Sequence, residues 1–159
     1  MELRIVPGTS QYLDDCKEAY KNSELGEAYF SSEADLTFRL MEGIGKREIF
    51  VALDEGNRCM GYIWMALRGA FYDFPYCPGL AVRKEYRGRG VGSALLRHYE
   101  KAGFEYSDRI FILVSDFNLK ARKLYERLGY KQVGLIPDLF EEGISELILV
   151  KYRPEDCIC

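Results

Sequence analysis

A glycine-rich turn that opens an amphipathic helix constrains this chain most. Residues 87–96 read Arg-Gly-Arg-Gly-Val-Gly-Ser-Ala-Leu-Leu. Because glycine has no Cβ, three alternate glycines let the main chain turn sharply and approach a ligand closely. The first turn of a helix also leaves amide donors without partners and carries a positive potential, which favours a phosphate group. The segment therefore predicts an anion-binding turn, although many glycine-rich turns only join a strand to a helix.

The spacing of these glycines excludes two familiar phosphate-binding motifs. A P-loop requires Lys followed by Ser or Thr after its glycines, and no such pair follows Gly92. A dinucleotide-binding fingerprint requires Gly-x-Gly-x-x-Gly, but Ser93 stands where the third glycine after Gly88 and Gly90 belongs. The pattern that remains is Arg-x-x-Gly-x-Gly, beginning at Arg87.

A second block follows a short apolar strand at residues 110–114. Residues 118–130 read Asn-Leu-Lys-Ala-Arg-Lys-Leu-Tyr-Glu-Arg-Leu-Gly-Tyr. With both blocks in this order, the chain resembles the GNAT acetyltransferases, firmly over residues 78–136 and loosely towards both ends. In that family the Arg-x-x-Gly-x-Gly turn holds the pyrophosphate of acetyl-coenzyme A. A helix of the Asn-x-x-Ala-x-x-Leu-Tyr-Glu type lies on the other side of the cofactor.

The resemblance implies a set of cofactor-binding residues. The strand before the turn is expected to pair with the extended cofactor, the turn to hold the pyrophosphate, and an asparagine to begin the second helix. These residues are Leu80, Ala81, Val82, Arg87, Gly88, Arg89, Gly90, Val91, Gly92, Ser93 and Asn118. Asparagine is also a common helix N-cap, and the two roles of Asn118 are compatible.

The same resemblance identifies one catalytic residue and leaves another open. Tyr125 occupies the position of the general acid that protonates the coenzyme A thiolate, and a phenol can donate its proton at neutral pH. Tyr125 shares an apolar helix face with Ala121, Leu124 and Leu128, so core packing is the competing interpretation. Some family members place a glutamate five residues before the asparagine, where this chain has Leu113. Another residue, a water chain or no dedicated base all remain open.

Hydrophobic periodicity predicts a mixed sheet with helices on its faces. The resemblance implies an α/β (α+β) fold of the GNAT type, with a mostly antiparallel central sheet of about seven strands flanked by about four helices. A single domain is expected over residues 1–153, followed by a short tail at 154–159. Helices are expected to begin near Thr9 or Ser10 and at Ser32, where the sequence resembles a capping box, and within the two motif blocks. The expected strands are 3–6, 48–53, 58–67, 79–82, 110–114, 131–136 and 144–152.

Length and composition limit the class of protein. A chain of 159 residues suits one domain and buries roughly 70% of the surface that its unfolded form exposes. No apolar run approaches a membrane span and the first residues lack a signal peptide, so we expect a cytoplasmic protein without a membrane partner. Five cysteines without Cys-x-x-Cys indicate neither a disulfide framework nor a zinc site, and no metal is expected. Cys77 is expected to be a structural thiol, and Cys157 and Cys159 part of the terminal tail.

Charge is distributed unevenly along the chain. Residues 83–131 hold 12 of the 22 Lys and Arg but 6 of the 25 Asp and Glu, so this segment is +6 and the remainder −9. A basic segment around the turn favours a polyanionic cofactor, whereas the acidic total argues against a nucleic-acid partner. Acidic side chains at Glu33, Asp73 and Glu142 lie in segments that often line the acceptor site, where they would favour a basic amine, although the stronger interpretation of each is an exposed surface carboxylate. Candidate aromatic walls of that site are Tyr29, Phe30, Tyr72, Phe74 and Tyr76.

Together these features predict an N-acetyltransferase that uses acetyl-coenzyme A. A primary amine, either a small molecule or a peptide, is expected to attack the thioester directly in a ternary complex. The main alternative is an acyl-coenzyme A sensor or regulatory protein on the same fold, which the apolar Leu113 keeps open. A nucleotide-binding module is a third possibility and requires a preference for ATP over coenzyme A. The acceptor is not identified, and a homodimer is compatible with the sequence.

Overall fold

A seven-stranded sheet dominates the computed structural model, which describes residues 2–155. The strands are β1 (Arg4–Pro7), β2 (Ile49–Leu53), β3 (Cys59–Ala70), β4 (Phe74–Val82), β5 (Arg109–Ser115), β6 (Lys131–Ile136) and β7 (Glu146–Tyr152). Their order in the sheet is β1-β2-β3-β4-β5-β7-β6. Antiparallel pairing joins β1 to β2, β2 to β3, β5 to β7 and β6 to β7, while β4 and β5 are parallel. The predicted mixed sheet of about seven strands is confirmed.

Five α-helices occur within residues 2–155, where the sequence predicted about four. They are α1 (Leu13–Lys21), α2 (Glu24–Tyr29), α3 (Glu33–Gly45), α4 (Val91–Tyr106) and α5 (Leu119–Arg127). The additional helix is α2, whose Ser23 hydroxyl accepts a hydrogen bond from the Gly26 amide at 3.1 Å. Helix α3 begins as predicted, because the Ser32 hydroxyl accepts from the Asp35 amide at 3.1 Å. Both helices start where a short polar side chain satisfies an amide of the first turn.

The chain divides into two compact units. We call Met1–Met65 with Gly79–Tyr99 the first unit, and Ala66–Pro78 with Glu100–Cys159 the second unit. Strands β3 and β4 and helix α4 continue from one unit into the other. The single domain expected over residues 1–153 stays a prediction, and most of the 154–159 tail lies outside the described residues.

The core of the first unit forms between α1, α3 and the strands β2 and β3. Apolar side chains three or four residues apart place one stripe of each helix against the sheet. The buried members of this cluster are Cys16, Ala19, Leu36, Leu40, Ile49, Val51, Leu53, Cys59, Tyr62 and Ala81. The predicted stripe of α3 is confirmed at Leu36 and Leu40, and Ile44 packs against the cluster while partly buried.

In the second unit, the two faces of β5 have different surroundings. Ile110 and Ile112 are buried on one face, where a Cβ added to Gly103 of α4 would stand 2.7 Å from Ile110 Cγ2. Cys77 is the strand partner of Ile112 and belongs to the same face, which we call the helix face. Side chains alternate along a strand, so Phe111 and the residues paired with it lie on the opposite face.

Within residues 2–155, Cys16, Cys59 and Cys77 are buried and form no disulfide bond. Cys157 and Cys159 lie outside the described residues. Across residues 2–155, the structure contains no helix with the length and apolar character needed to cross a membrane.

Candidate functional site

The glycine turn adopts a conformation that depends on glycine. Gly88 has φ 75° and Gly90 has φ 80°, both in the left-handed region. A Cβ added at either position meets no atom within 4 Å, and both residues are exposed. The main-chain conformation, rather than lack of space, therefore requires glycine in the free protein, and the empty space beside both Cα atoms is open to a ligand.

Helix α4 begins directly after this turn. The Ala94 amide donates to the carbonyl of Gly90, the residue before the helix, at 3.0 Å. The amides of Val91, Gly92 and Ser93 precede that donor, and they belong to the group for which a helix supplies no acceptor. With Val91 fully buried, its side chain anchors this helix end in the core. The arrangement suits a diphosphate, because exposed glycines and helix-end amides meet in one turn.

The end of β4 presents the main chain that was expected to pair with a cofactor. Ala81 is buried, while Leu80 and Val82 are half-buried. A Cβ added to Gly61 of β3 would stand 2.6 Å from the Ala81 carbonyl oxygen, so glycine allows the two strands to approach closely. Tyr76 and Cys77 of β4 pair with β5, and β4 continues beyond this pair to Val82.

The side chains of Arg87 and Arg89 differ in their contacts. The Arg87 guanidinium donates from Nε to the Val82 carbonyl at 3.1 Å and from a terminal nitrogen to the Asn22 carbonyl at 2.6 Å. It therefore fastens the turn to the end of β4 and to the residue after α1. The exposed Arg89 guanidinium carbon lies 5.9 Å from the ring centroid of Tyr86. Arg89 is thus placed to add positive charge at the turn.

Arg83, which the sequence did not single out, is the centre of an ion-pair cluster. Its guanidinium lies 3.3 Å from Asp15, 3.0 Å from Glu18 and 3.0 Å from Glu85, and it also donates to the Cys59 carbonyl at 3.2 Å. Burial raises the pKa of Asp15 above its usual value, against the opposing effect of Arg83. Three carboxylates offset this positive charge, so Arg83 contributes less to phosphate attraction than its place in the basic segment suggests.

Asn118 begins α5 in the second unit. Its side-chain oxygen accepts a hydrogen bond from the Ala121 amide at 3.2 Å, which is an N-cap interaction. The expected capping role is confirmed by this contact, whereas cofactor binding by Asn118 stays a prediction.

Tyr125 lies on the inner side of α5. It is 8% exposed, and its ring meets that of Tyr130 edge to face with centroids 5.9 Å apart. Burial, followed by the neighbouring Cys77, raises the pKa of Tyr125 above its usual value. The phenol therefore keeps its proton at neutral pH, as an exposed phenol also does. This environment fits a general acid as well as a core tyrosine.

The carboxylates expected at an acceptor site have other surroundings. Glu33 is bonded to Lys21 and lies 2.9 Å from Lys17, and hydrogen bonds from these lysines lower its pKa. Asp73 is exposed in the β3–β4 turn, and Glu142 is exposed in the loop before β7. Glu33 is therefore a partner in surface ion pairs with Lys17 and Lys21.

Ser115 and Glu146 form a buried hydrogen-bonded pair in the second unit, which the sequence did not predict. The Ser115 hydroxyl of β5 donates to Glu146 Oε1 of β7 at 2.8 Å, and the two residues are 1% and 3% exposed. A lone glutamate within the apolar segment 144–152 was the signal for it. Burial, then Cys77 and Glu146, raises the pKa of Tyr76 above its usual value, so Tyr76 also keeps its proton.

Metal ligation has no support in the described part of the chain, where no three His, Cys, Asp or Glu side chains form a group able to hold an ion. His98 packs its ring against Phe50, with centroids 4.7 Å apart.

Comparisons with known proteins agree on one family. The profile of the acetyltransferase (GNAT) family matches residues 13–130. An N-acetyltransferase of Methanocaldococcus jannaschii is 33% identical over 107 residues, covering 66% of this chain and 67% of the relative. The spermine/spermidine N(1)-acetyltransferase of Bacillus subtilis (strain 168) is 27% identical over 137 residues, covering 84% and 75%. Among solved structures, Ard1 from Thermoplasma volcanium superposes with a TM-score of 0.80 over 98% and 100% of the two chains, at 17% identity.

Proposed function

Because the chain belongs to the GNAT acetyltransferase family, we propose that it transfers the acetyl group of acetyl-coenzyme A to a primary amine. Acetyl transfer to an amine is the general reaction of this family. The single observation that carries the proposal is the left-handed glycine turn at Gly88 and Gly90, which opens directly into the amides of α4.

We assign the pyrophosphate to the amides from Gly88 to Ser93 and the extended part of the cofactor to the main chain of Leu80, Ala81 and Val82. A favourable contact at a helix end contributes about 0.3–1 kcal/mol, so several amides must act together. Arg89 adds a full charge, and Arg87 holds the turn in the conformation that aims these amides. Asn118 is included as a cofactor contact that also caps α5.

Acetyl transfer requires two proton transfers: the amine must lose a proton to become a neutral nucleophile, and the departing sulfur must gain one. Tyr125 is the proposed donor to that sulfur, because it occupies the general-acid position of the family's second motif and a phenol is protonated at neutral pH. The amine attacks the thioester carbonyl directly, and no acyl group passes through the protein. Cys77 remains a structural thiol beside Tyr125, consistent with its 4% exposure.

A basic amine is the proposed acceptor class, as a small molecule or at a peptide terminus. The acidic balance outside residues 83–131 supports it, and one relative is named for spermine and spermidine. A catalytically weak acyl-coenzyme A sensor is the second candidate. The observation that favours it is Leu113, an apolar side chain at the position where some family members have a glutamate.

The decisive experiment incubates the protein with acetyl-coenzyme A and a panel of alkyl amines, polyamines, amino acids and short peptides. Release of free thiol is followed with a chromogenic disulfide, and the acetylated product is identified by its mass. Thiol release that depends on one class of amine establishes both the reaction and the acceptor. Tight coenzyme A binding without thiol release from any amine would favour the sensor.

A further inference from the structure

Strand β6 lies at one edge of the sheet and carries exposed apolar side chains. In the described part of the chain its one strand neighbour is β7. Val133 and Leu135 of β6 are 59% and 51% exposed, and Leu139, three residues after the strand, is 40% exposed. Proteins usually protect an edge strand with charged residues, but β6 holds one charge, Lys131 at its first position. The middle of β6 therefore offers apolar contact area without charge.

The pairing of β6 with β7 is irregular at Val133. Gln132 is the partner of Leu149 and Gly134 is the partner of Ile148, so Val133 is the extra residue of a β-bulge. A bulge disturbs the main chain of an edge strand and disfavours a continuous ladder with another strand. Contact at this edge therefore depends on side chains, and the exposed Val133 lies near the centre of the strand.

Charged side chains around β6 are separated by sign. The basic end consists of Arg127 and Lys131, and the acidic end consists of Asp138, Glu141 and Glu142. All five residues are exposed. Two copies of such a segment are complementary when they run antiparallel, because each basic end then meets the acidic end of the other copy. A parallel arrangement would place like charges side by side.

The symmetry of a dimer requires the same direction. Most homodimers have a two-fold axis, and two identical strands that lie side by side across such an axis are antiparallel. With the axis at the centre of β6, the apolar side chains of both copies meet in the middle and opposite charges meet at both ends. An interface of this kind uses the same patch on both copies, so it closes without adding a third chain.

We propose that two copies of this protein associate along β6, with the two strands antiparallel. Val133 and Leu135 of both copies exclude water at the centre of the contact. Arg127 and Lys131 of each copy attract the acidic end of the second copy. The sequence was compatible with a homodimer, and β6 is its contact surface. The association is separate from acetyl transfer, and its test requires no activity.

Charge reversal tests this arrangement by analytical ultracentrifugation. The first variant, Arg127→Glu with Lys131→Glu, has two acidic ends, and the second, Glu141→Lys with Glu142→Lys, has two ends of net positive charge. At about 100 μM, above the micromolar Kd of the weakest standard-size interfaces, wild type should sediment as a dimer. In each variant alone the Kd of the dimer should rise about 10-fold or more, because like charges face each other. An equimolar mixture of both variants should restore a dimer, because opposite charges meet again.

Two further variants complete the design. Val133→Lys puts a charge at the apolar centre and should sediment as a monomer. Since Val133 is exposed, this substitution leaves the core of the single chain intact. Lys84→Glu with Arg97→Glu is the matched control, because it changes the net charge as much as the first variant does, at exposed positions outside β6 and its two ends. This control should dimerise as wild type does.

A wild type that stays monomeric at this concentration overturns the inference. Dimers formed by either charge-reversed variant alone, or a mixture that stays monomeric, would overturn the antiparallel arrangement. Thermal melting checks that each variant is folded. If a charge-reversed variant is unfolded, Val133→Lys decides: a monomer supports the β6 contact, and a dimer as stable as that of wild type refutes it.

Discussion

Replacing Gly90 by alanine tests the glycine turn with the smallest side chain. Gly90 has φ 80°, and an added Cβ meets nothing within 4 Å, so the cost comes from the main chain alone. A left-handed conformation costs an L-residue about 1–2 kcal/mol. For a chain of this length, 1 kcal/mol shifts Tm by about 2–4 °C, so Gly90→Ala should melt about 2–8 °C below wild type.

If the turn relaxes to relieve this strain, the amides of 91–93 turn away from the bound phosphate. Losing two or three such contacts, each about 0.3–1 kcal/mol, removes roughly 1–3 kcal/mol of binding free energy. The Kd for coenzyme A should then rise about 5–150-fold. Isothermal titration calorimetry measures this change, and thermal melting measures the stability.

Gly45→Ala is the matched control. Gly45 lies at the end of α3, where an added Cβ also meets nothing within 4 Å and φ is not left-handed. This substitution should leave coenzyme A binding unchanged and stabilise the protein by about 0.4–1 kcal/mol. A Gly90→Ala protein that binds coenzyme A as wild type does and melts like Gly45→Ala would refute both the strain and the phosphate placement.

Four further predictions address individual side chains. Tyr125→Phe should reduce kcat by about 100-fold or more with an unchanged Kd for coenzyme A, whereas Tyr106→Phe on the exposed side of α4 should not; equal turnover in both would leave Tyr125 a core residue. Cys77→Ala should retain acetyl transfer, and mass spectrometry detecting a turnover-competent acetyl group on Cys77 in wild type would contradict direct attack. Asn118→Ala should lose the N-cap of α5 and about 1 kcal/mol of stability, measured by urea unfolding. The hydrogen bond from the Arg58 amide holds the pKa of Asp54 below its usual value, so the stabilising contribution of the Asp54 carboxylate is complete above roughly pH 4 and disappears as pH falls through the folded-state pKa. Urea midpoints of wild type and Asp54→Asn should therefore differ at neutral pH and converge in acid, and a constant difference would disprove the role of the charge.

Local signals explain why much of the fold was predictable. Strand β6 spans Lys131–Ile136, as the sequence predicted, and Ser32 and Asn118 cap the helices that follow them. Capping and alternation depend on neighbours in sequence, so they can be recognised without the tertiary structure. Helix α2 was missed because its six residues are too few to show a helical period. Strand β4 was predicted too short, since prolines such as Pro75 argue against a strand.

For the candidate site, the amino-acid sequence was enough to predict the glycine turn, the helix that follows it and the helix that carries Tyr125. Glycine spacing and helix periodicity contain that information within a few residues. Two contacts could not be predicted in this way: Arg87 donates to the Asn22 carbonyl, 65 residues away, and Ser115 donates to Glu146, 31 residues away. Such contacts depend on strand register and on packing between distant segments, which no local pattern specifies. The same polar side chain can lie in water or in the core, and only the folded chain assigns it to one of them.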